Sequence, residues 1–393
     1  KENNLQDRTF INSCAVTNKT IADLKTEIRK LKKNNPDNKI ILTGCAAQIH
    51  KDEFVAMNEI DSIIGNKEKL ESKTYKEIKE SNDRINKVGD IFEHGQAISP
   101  IIKKVENRIR GFVQIQNGCD HRCTFCIIPY GRGDSRSVEP ENVVNQINTL
   151  LDQGYKEIVL TGVDLTSYGH DLENKPNLAT LVSHILFSIP KLKRLRLSSL
   201  DVAEIDKNLM DLIKYEKRIL PHIHLSLQAG DNMILKRMKR RHLRDDAISV
   251  INEIRSVRSE VVFGADIIAG FPTENDEMFQ NTVDLIEDCN ITFLHIFPFS
   301  PREGTPAARM PQVDRYIIKK RAKILREIGK KKLLEYYDGL KNKKINVIVE
   351  DKGRGRSDTF AKVQIDNNLD NGQIVKMIVT GRNQVGLTGN IVV

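Results

Sequence analysis

The chain has 393 residues, of which 39% are hydrophobic and 29% are charged, and its net charge is +9. This is the composition of a globular protein with room for two or three domains, and no apolar run approaches the roughly 18 residues of a membrane span, which excludes a transmembrane helix. The positive charge is compatible with a phosphate-rich partner such as RNA, although many basic proteins bind no nucleic acid.

The cysteines and the start of the chain bear on its location. The six cysteines are not spaced as a disulfide framework, which predicts a reducing, cytoplasmic setting where thiolates remain available to metal. No charged and then apolar leader is present, so nothing indicates secretion. The chain starts at Lys1 instead of Met and begins inside a predicted domain, so we expect that a further stretch precedes it.

Residues 1–95 are predicted to form an open parallel α/β domain. A strand over 9–12 ends near Cys14, a helix follows, and a strand over 39–43 leads into Cys45. Both cysteines therefore lie just after strand ends, where an open parallel sheet forms its ligand crevice. From this pattern alone they are either metal ligands or buried structural thiols.

Residues 107–335 follow a linker over 90–106 and alternate between strands and helices. The candidate strands are 111–116, 157–161, 194–198, 222–228, 262–269 and 293–299, and the clearest helix covers 140–153. This alternation predicts a parallel sheet with right-handed crossovers. Six strands are too few for a closed eight-stranded barrel, so we expect an open partial barrel.

Cys119, Cys123 and Cys126 follow the first of these strands with the spacing C-x3-C-x2-C. Three thiolates can hold three irons of a cubane cluster, which normally takes four protein ligands, so the fourth iron would be open to a small molecule. Such an open position is typical of catalytic metal sites. Zinc is the alternative, but no fourth Cys or His follows at zinc-finger spacing, and His121 is poorly placed to share the metal.

Polar and glycine residues follow the ends of the other predicted strands, where βα barrels carry their chemistry. Gly162 and Asp164 follow the second strand, Ser226 and Gln228 close the fourth, and Gly270 follows the fifth. A glycine here would let the backbone approach a ligand closely. We expect one ligand site at this end, although sheet-end packing or a turn would also explain each residue taken singly.

Two basic stretches and a β-rich tail complete the pattern. A strongly basic helix is predicted over 315–332, and residues 340–393 are predicted to form a small β-barrel. Each basic stretch is either a solvated surface or a phosphate contact. The candidate RNA contacts are Lys236, Arg237, Lys239, Arg240, Arg241, Lys352, Arg354 and Arg356.

With these features in place, the chain resembles the methylthiotransferases of the radical S-adenosylmethionine (SAM) superfamily over essentially its whole length. The matching stretches are 12–17, 43–48, 118–133, 225–230 and 299–306. The resemblance implies an N-terminal methylthiotransferase domain, a central partial (β/α)6 radical SAM barrel and a C-terminal barrel called TRAM. It also implies two 4Fe-4S clusters, one on Cys119, Cys123 and Cys126, and one on Cys14, Cys45 and a third cysteine that would lie upstream of Lys1.

Within this family, the stretches 131–137 and 161–169 are most similar to the branch that methylthiolates carbon 2 of N6-threonylcarbamoyladenosine at position 37 of tRNA. The alternatives are the branches that act on isopentenyladenosine in tRNA or on an aspartate of a ribosomal protein. A non-catalytic RNA-binding protein with relic cysteines is a third reading, against which the complete three-cysteine spacing argues.

The resemblance implies that SAM serves both as the radical source and as the methyl donor, while the second cluster supplies sulfur. Gly162 and Asp164 lie where related enzymes contact the cofactor's amino group, and Ser226 and Gln228 could face its ribose. Phe125 either packs against the cofactor's adenine or belongs to the core. The implied partners are the tRNA anticodon stem-loop, an electron donor such as flavodoxin or ferredoxin, and a sulfur donor, with no membrane.

Overall fold

A computed structural model describes residues 8–81, 83–93, 108–351, 353–366 and 368–392. The chain forms two compact units: unit 1 contains residues 1–100, 117–136 and 300–309, and unit 2 contains residues 101–116, 137–299 and 310–393. Most of the predicted linker over 90–106 lies outside the described residues, and so does Lys352.

Unit 1 is built around a parallel sheet with the strand order β1-β2-β3-β4. Its first segment contains β1 (Arg8–Ser13), α1 (Asn18–Asn34), β2 (Lys39–Gly44), α2 (Cys45–Ile49), α3 (Lys51–Val55), β3 (Ser62–Ile64), α4 (Ser72–Glu80) and β4 (Ile85–Lys87). Helix α1 begins where the Thr17 side chain accepts a hydrogen bond from the Thr20 backbone. Its apolar face buries Ile21 and Ile28 in the core beneath the sheet, which fixes the ends of β1 and β2 side by side.

The central segment continues the alternation of strands and helices. It contains β5 (Arg110–Gln114), β6 (Gln116–Asn117), α5 (Ile128–Arg132), β7 (Arg136–Ser137), α6 (Pro140–Asp152), β8 (Glu157–Thr161), α7 (Leu178–Ser188), β9 (Leu195–Leu197), β10 (Ser199–Leu200), α8 (Lys207–Tyr215), β11 (His222–Gln228), α9 (Asn232–Arg237), α10 (Arg244–Val257), β12 (Val262–Ala269), α11 (Asp276–Asp288), β13 (Phe293–Pro298) and α12 (Arg315–Gly339). In unit 2, β5, β8 and β9 form one parallel sheet, and β10 to β13 form another. Only Ser198 separates β9 from β10, so the two sheets together supply the six successive strands that the sequence predicts.

Helices cover one face of these sheets. Leu294 of β13 packs against Gly329 of α12, and the Phe263 ring of β12 lies 4.9 Å from the guanidinium of Arg255 in α10. Because successive side chains of a strand point to opposite faces, the residues next to Leu294 and Phe263 point to the helix-free face. That face is the one on which a ligand can reach the strands.

The C-terminal segment closes into a barrel with the strand order β14-β15-β16-β18-β17. Its strands are β14 (Lys344–Asp351), β15 (Arg354–Ser357), β16 (Lys362–Gln364), β17 (Ile374–Arg382) and β18 (Leu387–Val392). The small closed barrel confirms the predicted architecture of the tail. The sequence predicts strands over 346–350, 359–365, 372–379 and 389–393. It misses β15, because the Arg-Gly-Arg-Ser sequence of that strand lacks the apolar alternation of a strand.

Buried ion pairs join this barrel to the N-terminal ends of the parallel strands. Glu157 is bonded by Arg194 and Arg196 at 2.9 Å each, and Arg194 also pairs with Asp358 of the small barrel. The Phe360 ring lies 4.9 Å from the Arg196 guanidinium. The small barrel therefore sits at the end of the sheets opposite to the loops that carry Gly162 and Gly270.

Candidate functional site

The loop that carries Cys119, Cys123 and Cys126 is folded tightly on itself within unit 1. The Cys119 backbone N–H donates to the Gly133 carbonyl at 3.1 Å, and the Cys126 backbone N–H donates to the Cys123 carbonyl at 3.0 Å. All three thiols are half-buried, and none is in a disulfide. The loop thus holds three thiols within eight residues, and three thiol sulfurs are a donor set that suits a cubane cluster.

Residues flanking the cysteines hold the loop in this shape. Gly118 has a φ of +78°, and a Cβ at this position would lie 1.9 Å from the Asp134 carbonyl oxygen, so only glycine fits. The Asp120 side chain accepts from the Ser135 backbone at 2.8 Å. Arg122 pairs with Asp134 at 2.6 Å, which ties the loop to the segment that follows α5. Phe125 lies half-buried on the same loop.

Cys14 and Cys45 lie at the ends of β1 and β2, as the sequence predicts. Cys14 is exposed and Cys45 is half-buried. The Cys45 sulfur accepts from the Arg132 Nε at 3.1 Å and lies 3.5 Å from the Asn66 side-chain nitrogen. Asn66 also donates to the Gly131 carbonyl at 2.6 Å. Unit 1 therefore brings Cys45 next to the helix that follows the three-cysteine loop.

Two basic side chains that sequence reasoning missed lie beside these thiols. Arg302 is 3% exposed and donates to Asn18 and His50, while its Nε is buried with no hydrogen-bond partner among the described residues. Burial lowers the pKa of Arg302, and the nearby Cys14 thiol offsets part of that effect. Burial, together with the charge of Arg132, lowers the pKa of Lys69 to about 8.

This surrounding fits an anionic iron–sulfur cluster. Thiolate ligands would bring negative charge to this site, and the Arg302 Nε, which has no hydrogen-bond partner among the described residues, supplies a donor that such a group would satisfy. Arg132 and Lys69 add positive charge close to Cys45. The two thiols could therefore bind iron, and the three cations could balance the negative charge of a cluster. A third cysteine ligand would still be required.

In unit 2, the loop after β8 is held by a residue that the sequence analysis did not single out. The Gln116 side-chain oxygen accepts from the backbone N–H groups of Val163 and Asp164, each at 2.9 Å. A Cβ at Gly162 would lie 2.8 Å from the same oxygen. The loop can therefore lie this close to Gln116 because Gly162 has no side chain. Asp164 in turn accepts from Ser167 at 2.6 Å, which fixes the orientation of its carboxylate.

The end of β11 carries an irregular backbone. Gln228 has a φ of +71°, and the pairing of β11 with β12 shifts register between Leu225 and Gln228. A non-glycine residue in this conformation is strained, as is common at ligand sites. The Ser226 hydroxyl is 2.6 Å from that of Ser199. Ser226 therefore lies on the helix-free face, and Gln228 ends the same strand.

Gly270 is packed closely against helix α12. Its φ is +73°, and a Cβ there would lie 2.5 Å from the Ile318 side chain of α12. Its backbone N–H donates to the Glu274 carboxylate at 3.0 Å, and Arg321 bonds the same carboxylate at 2.8 Å. The close packing of α12 accounts for this glycine.

Several members of the basic run over 236–241 are paired with other residues of unit 2. Arg240 is only 7% exposed at its side chain and pairs with Asp201 at 2.9 Å, Arg241 pairs with Glu204 at 2.7 Å, and Arg237 donates to Thr273 at 2.8 Å. Lys236 and Lys239 are exposed. In the small barrel, Arg354 is paired with Asp351 at 2.7 Å and Arg356 with Glu350 at 3.1 Å.

The chain matches two protein-family models. Residues 113–286 match the Radical SAM superfamily, and residues 1–65 match the Uncharacterized protein family UPF0004. The first model covers the three-cysteine loop and the strand ends of unit 2. The second covers Cys14 and Cys45. Among the described residues, no helix has the length and apolar character needed to cross a bilayer.

Solved structures with a similar fold are radical SAM enzymes. The methyltransferase TsrM from Kitasatospora setae, bound to tryptophan and a SAM analog, matches with a TM-score of 0.56 and 16% identity over 77% of this chain and 64% of that one. The cobalamin-dependent SAM radical enzyme OxsB matches with a TM-score of 0.50 and 13% identity over 84% of this chain and 47% of its own. The chain thus spans less than two thirds of either protein, and at these identities the likeness concerns the fold alone.

Curated relatives are similar at much higher identity. Threonylcarbamoyladenosine tRNA methylthiotransferase MtaB of Rickettsia prowazekii is 48% identical over 96% of this chain and 89% of its own length. The protein of the same name from Aquifex aeolicus is 36% identical over 95% and 91%. The tRNA-2-methylthio-N(6)-dimethylallyladenosine synthase of Pelagibacter ubique is 30% identical over 97% and 88%. With this identity over nearly the whole length, the chain belongs to the methylthiotransferase family of radical SAM enzymes.

Proposed function

We propose that this enzyme methylthiolates carbon 2 of N6-threonylcarbamoyladenosine at position 37 of tRNA. The observation that carries the proposal is the 48% identity to a threonylcarbamoyladenosine tRNA methylthiotransferase over 96% of the chain. Relatives named for dimethylallyladenosine are less similar, at 30 to 33% identity. The reaction replaces a C–H bond by a C–S–CH3 group.

In this proposal Cys119, Cys123 and Cys126 would hold a 4Fe-4S cluster, and SAM would bind at it. When bound, the cluster and SAM supply radical chemistry, which can remove a hydrogen that is too weakly acidic for acid–base catalysis. The chain's own contribution is to hold the reactants. Gly118 and the pair Arg122–Asp134 keep the loop in its shape.

We assign four cofactor contacts to the strand ends of unit 2. Asp164 would bind a positively charged amino group, since its carboxylate is oriented by Ser167. Ser226 and Gln228 would bind hydroxyl groups at the end of β11, where the backbone of Gln228 has a φ of +71°. Gly162 keeps the loop close to the sheet through Gln116. Gly270 is left to packing against α12.

We further propose that Cys14 and Cys45 would contribute two ligands to a second 4Fe-4S cluster. Sulfur transferred to carbon 2 would come from this cluster. Arg302 supplies its unpartnered Nε, and Arg132 and Lys69 supply positive charge. A replenishing sulfur donor and a low-potential electron donor, such as a flavodoxin or ferredoxin, complete the set of partners.

The exposed face of α12 is the surface that we assign to tRNA. Arg315, Lys319, Lys320, Lys323 and Arg326 are all exposed along it. Exposed cations on one helix neutralise backbone phosphates without reading sequence. Lys236 at the end of α9 and Lys239 just after it are further exposed cations, whereas Arg240 is paired with Asp201.

The experiment that tests the function is mass spectrometry of tRNA nucleosides from a strain that lacks the gene. We expect methylthio-threonylcarbamoyladenosine to disappear and to return when the gene is restored, but not when the restored copy carries Cys126→Ala. Loss of methylthio-dimethylallyladenosine instead would leave the family intact and reject the substrate. No change in either nucleoside would reject a tRNA substrate and direct attention to a ribosomal-protein aspartate.

A further inference from the structure

Two histidines and an aspartate lie together on three neighbouring strands of unit 2, and neither the cluster sites nor the cofactor contacts use them. His224 Nε2 of β11 is 3.0 Å from the Asp266 carboxylate of β12. His295 Nδ1 of β13 is 3.2 Å from the same oxygen. The two imidazole rings lie 4.7 Å apart, so the three side chains form one connected group.

This group faces the helix-free side of the sheet. Leu294 packs against α12 and Phe263 lies against α10, so His295 and Asp266 point the other way. His224 shares that side with Ser226, which is two residues further along the same strand. A rise of about 3.3 Å per residue places the group roughly 7 Å deeper along the strands than Ser226.

The arrangement leaves one nitrogen of His295 available. Burial alone would raise the pKa of Asp266, but hydrogen bonds from His224 and His295 lower it to about 2, so this carboxylate is ionised. The hydrogen bond to Asp266 raises the pKa of His295. With Nδ1 turned to Asp266, His295 Nε2 lies on the opposite edge of the ring. Its side chain is 59% exposed, so this nitrogen can donate to a ligand.

The substrates named for the relatives differ in the group that this donor could recognise. Threonylcarbamoyladenosine ends in a carboxylate, whereas dimethylallyladenosine ends in a hydrocarbon. A donor with cationic character binds a carboxylate strongly and has no partner on a hydrocarbon. Phe297 is exposed two residues beyond His295 on the same side of β13, where it offers an apolar surface to a base.

We propose that His295, held in orientation by Asp266 and supported by His224, binds the carboxylate of the threonylcarbamoyl group and thereby selects this substrate. The inference rests on the proposed function. His295 touches the substrate away from the reacting carbon, and Asp266 is a positioning residue. Two histidines and a carboxylate can also bind a metal ion. The experiment therefore distinguishes binding of the substrate carboxylate from binding of a metal.

The test compares two anticodon stem-loop RNAs that carry threonylcarbamoyladenosine, one with its free carboxylate and one as the methyl ester. Dissociation constants are measured for the wild-type protein, His295→Phe and, as a matched control, His184→Phe. His184 also pairs with a carboxylate, Glu141 at 3.0 Å, but lies on α7. We expect the ester to bind the wild type and His184→Phe about ten- to hundred-fold more weakly than the acid, and His295→Phe to bind both RNAs equally weakly.

Each other result overturns the inference. If His295→Phe keeps the preference for the free acid, the carboxylate binds elsewhere. If the variant weakens SAM binding in the absence of RNA, the group serves the carboxylate of the cofactor. If the wild type contains a stoichiometric metal beyond its cluster iron that His295→Phe loses, the group is a metal site. His295→Gln, which keeps a polar side chain, replaces His295→Phe if the latter fails to fold.

Failure of the proposed function is a separate result. A wild-type protein that binds the free-acid RNA no better than the same stem-loop with unmodified adenosine would reject threonylcarbamoyladenosine as the substrate. A wild type that prefers the modified RNA, with the preference unchanged in His295→Phe, would reject only the role of His295.

Discussion

Replacing Glu157 with glutamine is expected to destabilise unit 2 by about 3 kcal/mol or more. The carboxylate is 1% exposed and is bonded by Arg194 and Arg196. Glutamine keeps the size of the side chain and removes its charge, so two buried guanidinium groups lose the carboxylate that compensates them. Breaking a buried ion pair in this way costs about 3–5 kcal/mol.

The structure places the cost near the lower end of that range. Arg194 retains Asp358 as an acidic partner. Arg196 retains the Asp358 carbonyl at 3.2 Å and the Phe360 ring, neither of which carries a negative charge. With a urea dependence of about 3 kcal/mol per molar, the midpoint of unfolding should fall by about 1 M. Circular dichroism is the suitable probe, because the chain contains no tryptophan.

The matched control is Glu141→Gln, which removes an exposed carboxylate paired with His184 at 3.0 Å. Exposed pairs contribute about 0–1 kcal/mol, so its midpoint should shift little. Equal shifts for the two variants would refute the argument that the buried charge of Glu157 stabilises the fold.

The pH dependence gives a second check on Glu157. Burial alone would raise its pKa, but Arg196 and Arg194 hold it below its ordinary value of 4.5. A carboxyl with a lowered folded-state pKa contributes stability above its unfolded pKa, and the contribution is lost as pH falls through the folded value. The difference between wild type and Glu157→Gln should therefore stay constant from pH 8 to about pH 5 and shrink only at lower pH.

Three further outcomes are expected. Cys126→Ala should lose about four irons per chain and all SAM cleavage. Cys289→Ala should keep its iron and its SAM cleavage, because Cys289 is buried and its pKa is raised to about 11. Equal iron content in the two variants would contradict the ligand assignment. Gly118→Ala should fold but bind little iron, since its Cβ would clash with the next segment; normal iron content would show that the loop adapts. Lys319→Ala combined with Lys323→Ala should flatten the plot of log affinity for tRNA against log salt by about 1.5 units, and an unchanged slope would remove α12 from the interface.

The three-cysteine loop could be proposed as a cluster site from sequence because its pattern is local. The three candidate ligands fall within eight residues, and Gly118 precedes them directly, so their spacing is visible in the sequence alone. The ends of the longer strands could also be predicted, because a long apolar run such as that of β12 begins and ends at clear changes in residue type. β4 was missed, because its Ile-Asn-Lys sequence has one apolar residue and reads as loop.

The partners of the charged residues could not be predicted, because they lie far away along the chain. Arg240 is a candidate phosphate contact by composition, yet it pairs with Asp201, which is buried on another loop. Arg302 belongs to a short Ser-Pro-Arg-Glu-Gly stretch that predicts only a turn, and the fold brings it to Cys14. His224 and His295 are separated by 71 positions, and only the pairing of β11, β12 and β13 joins them.

The positions of the basic residues suggest that affinity for the RNA backbone and selection of the modified base depend on different surfaces. Several basic residues are consumed by internal pairs, including Arg194, Arg196 and Arg240. Helix α12 keeps several exposed cations, which can bind phosphates but carry no information about the modified base. Selection of that base must then come from a site that meets its distinguishing group, and the helix-free face offers His295 for this purpose. Affinity that depends on salt and specificity that depends on the carboxylate should consequently respond to different substitutions.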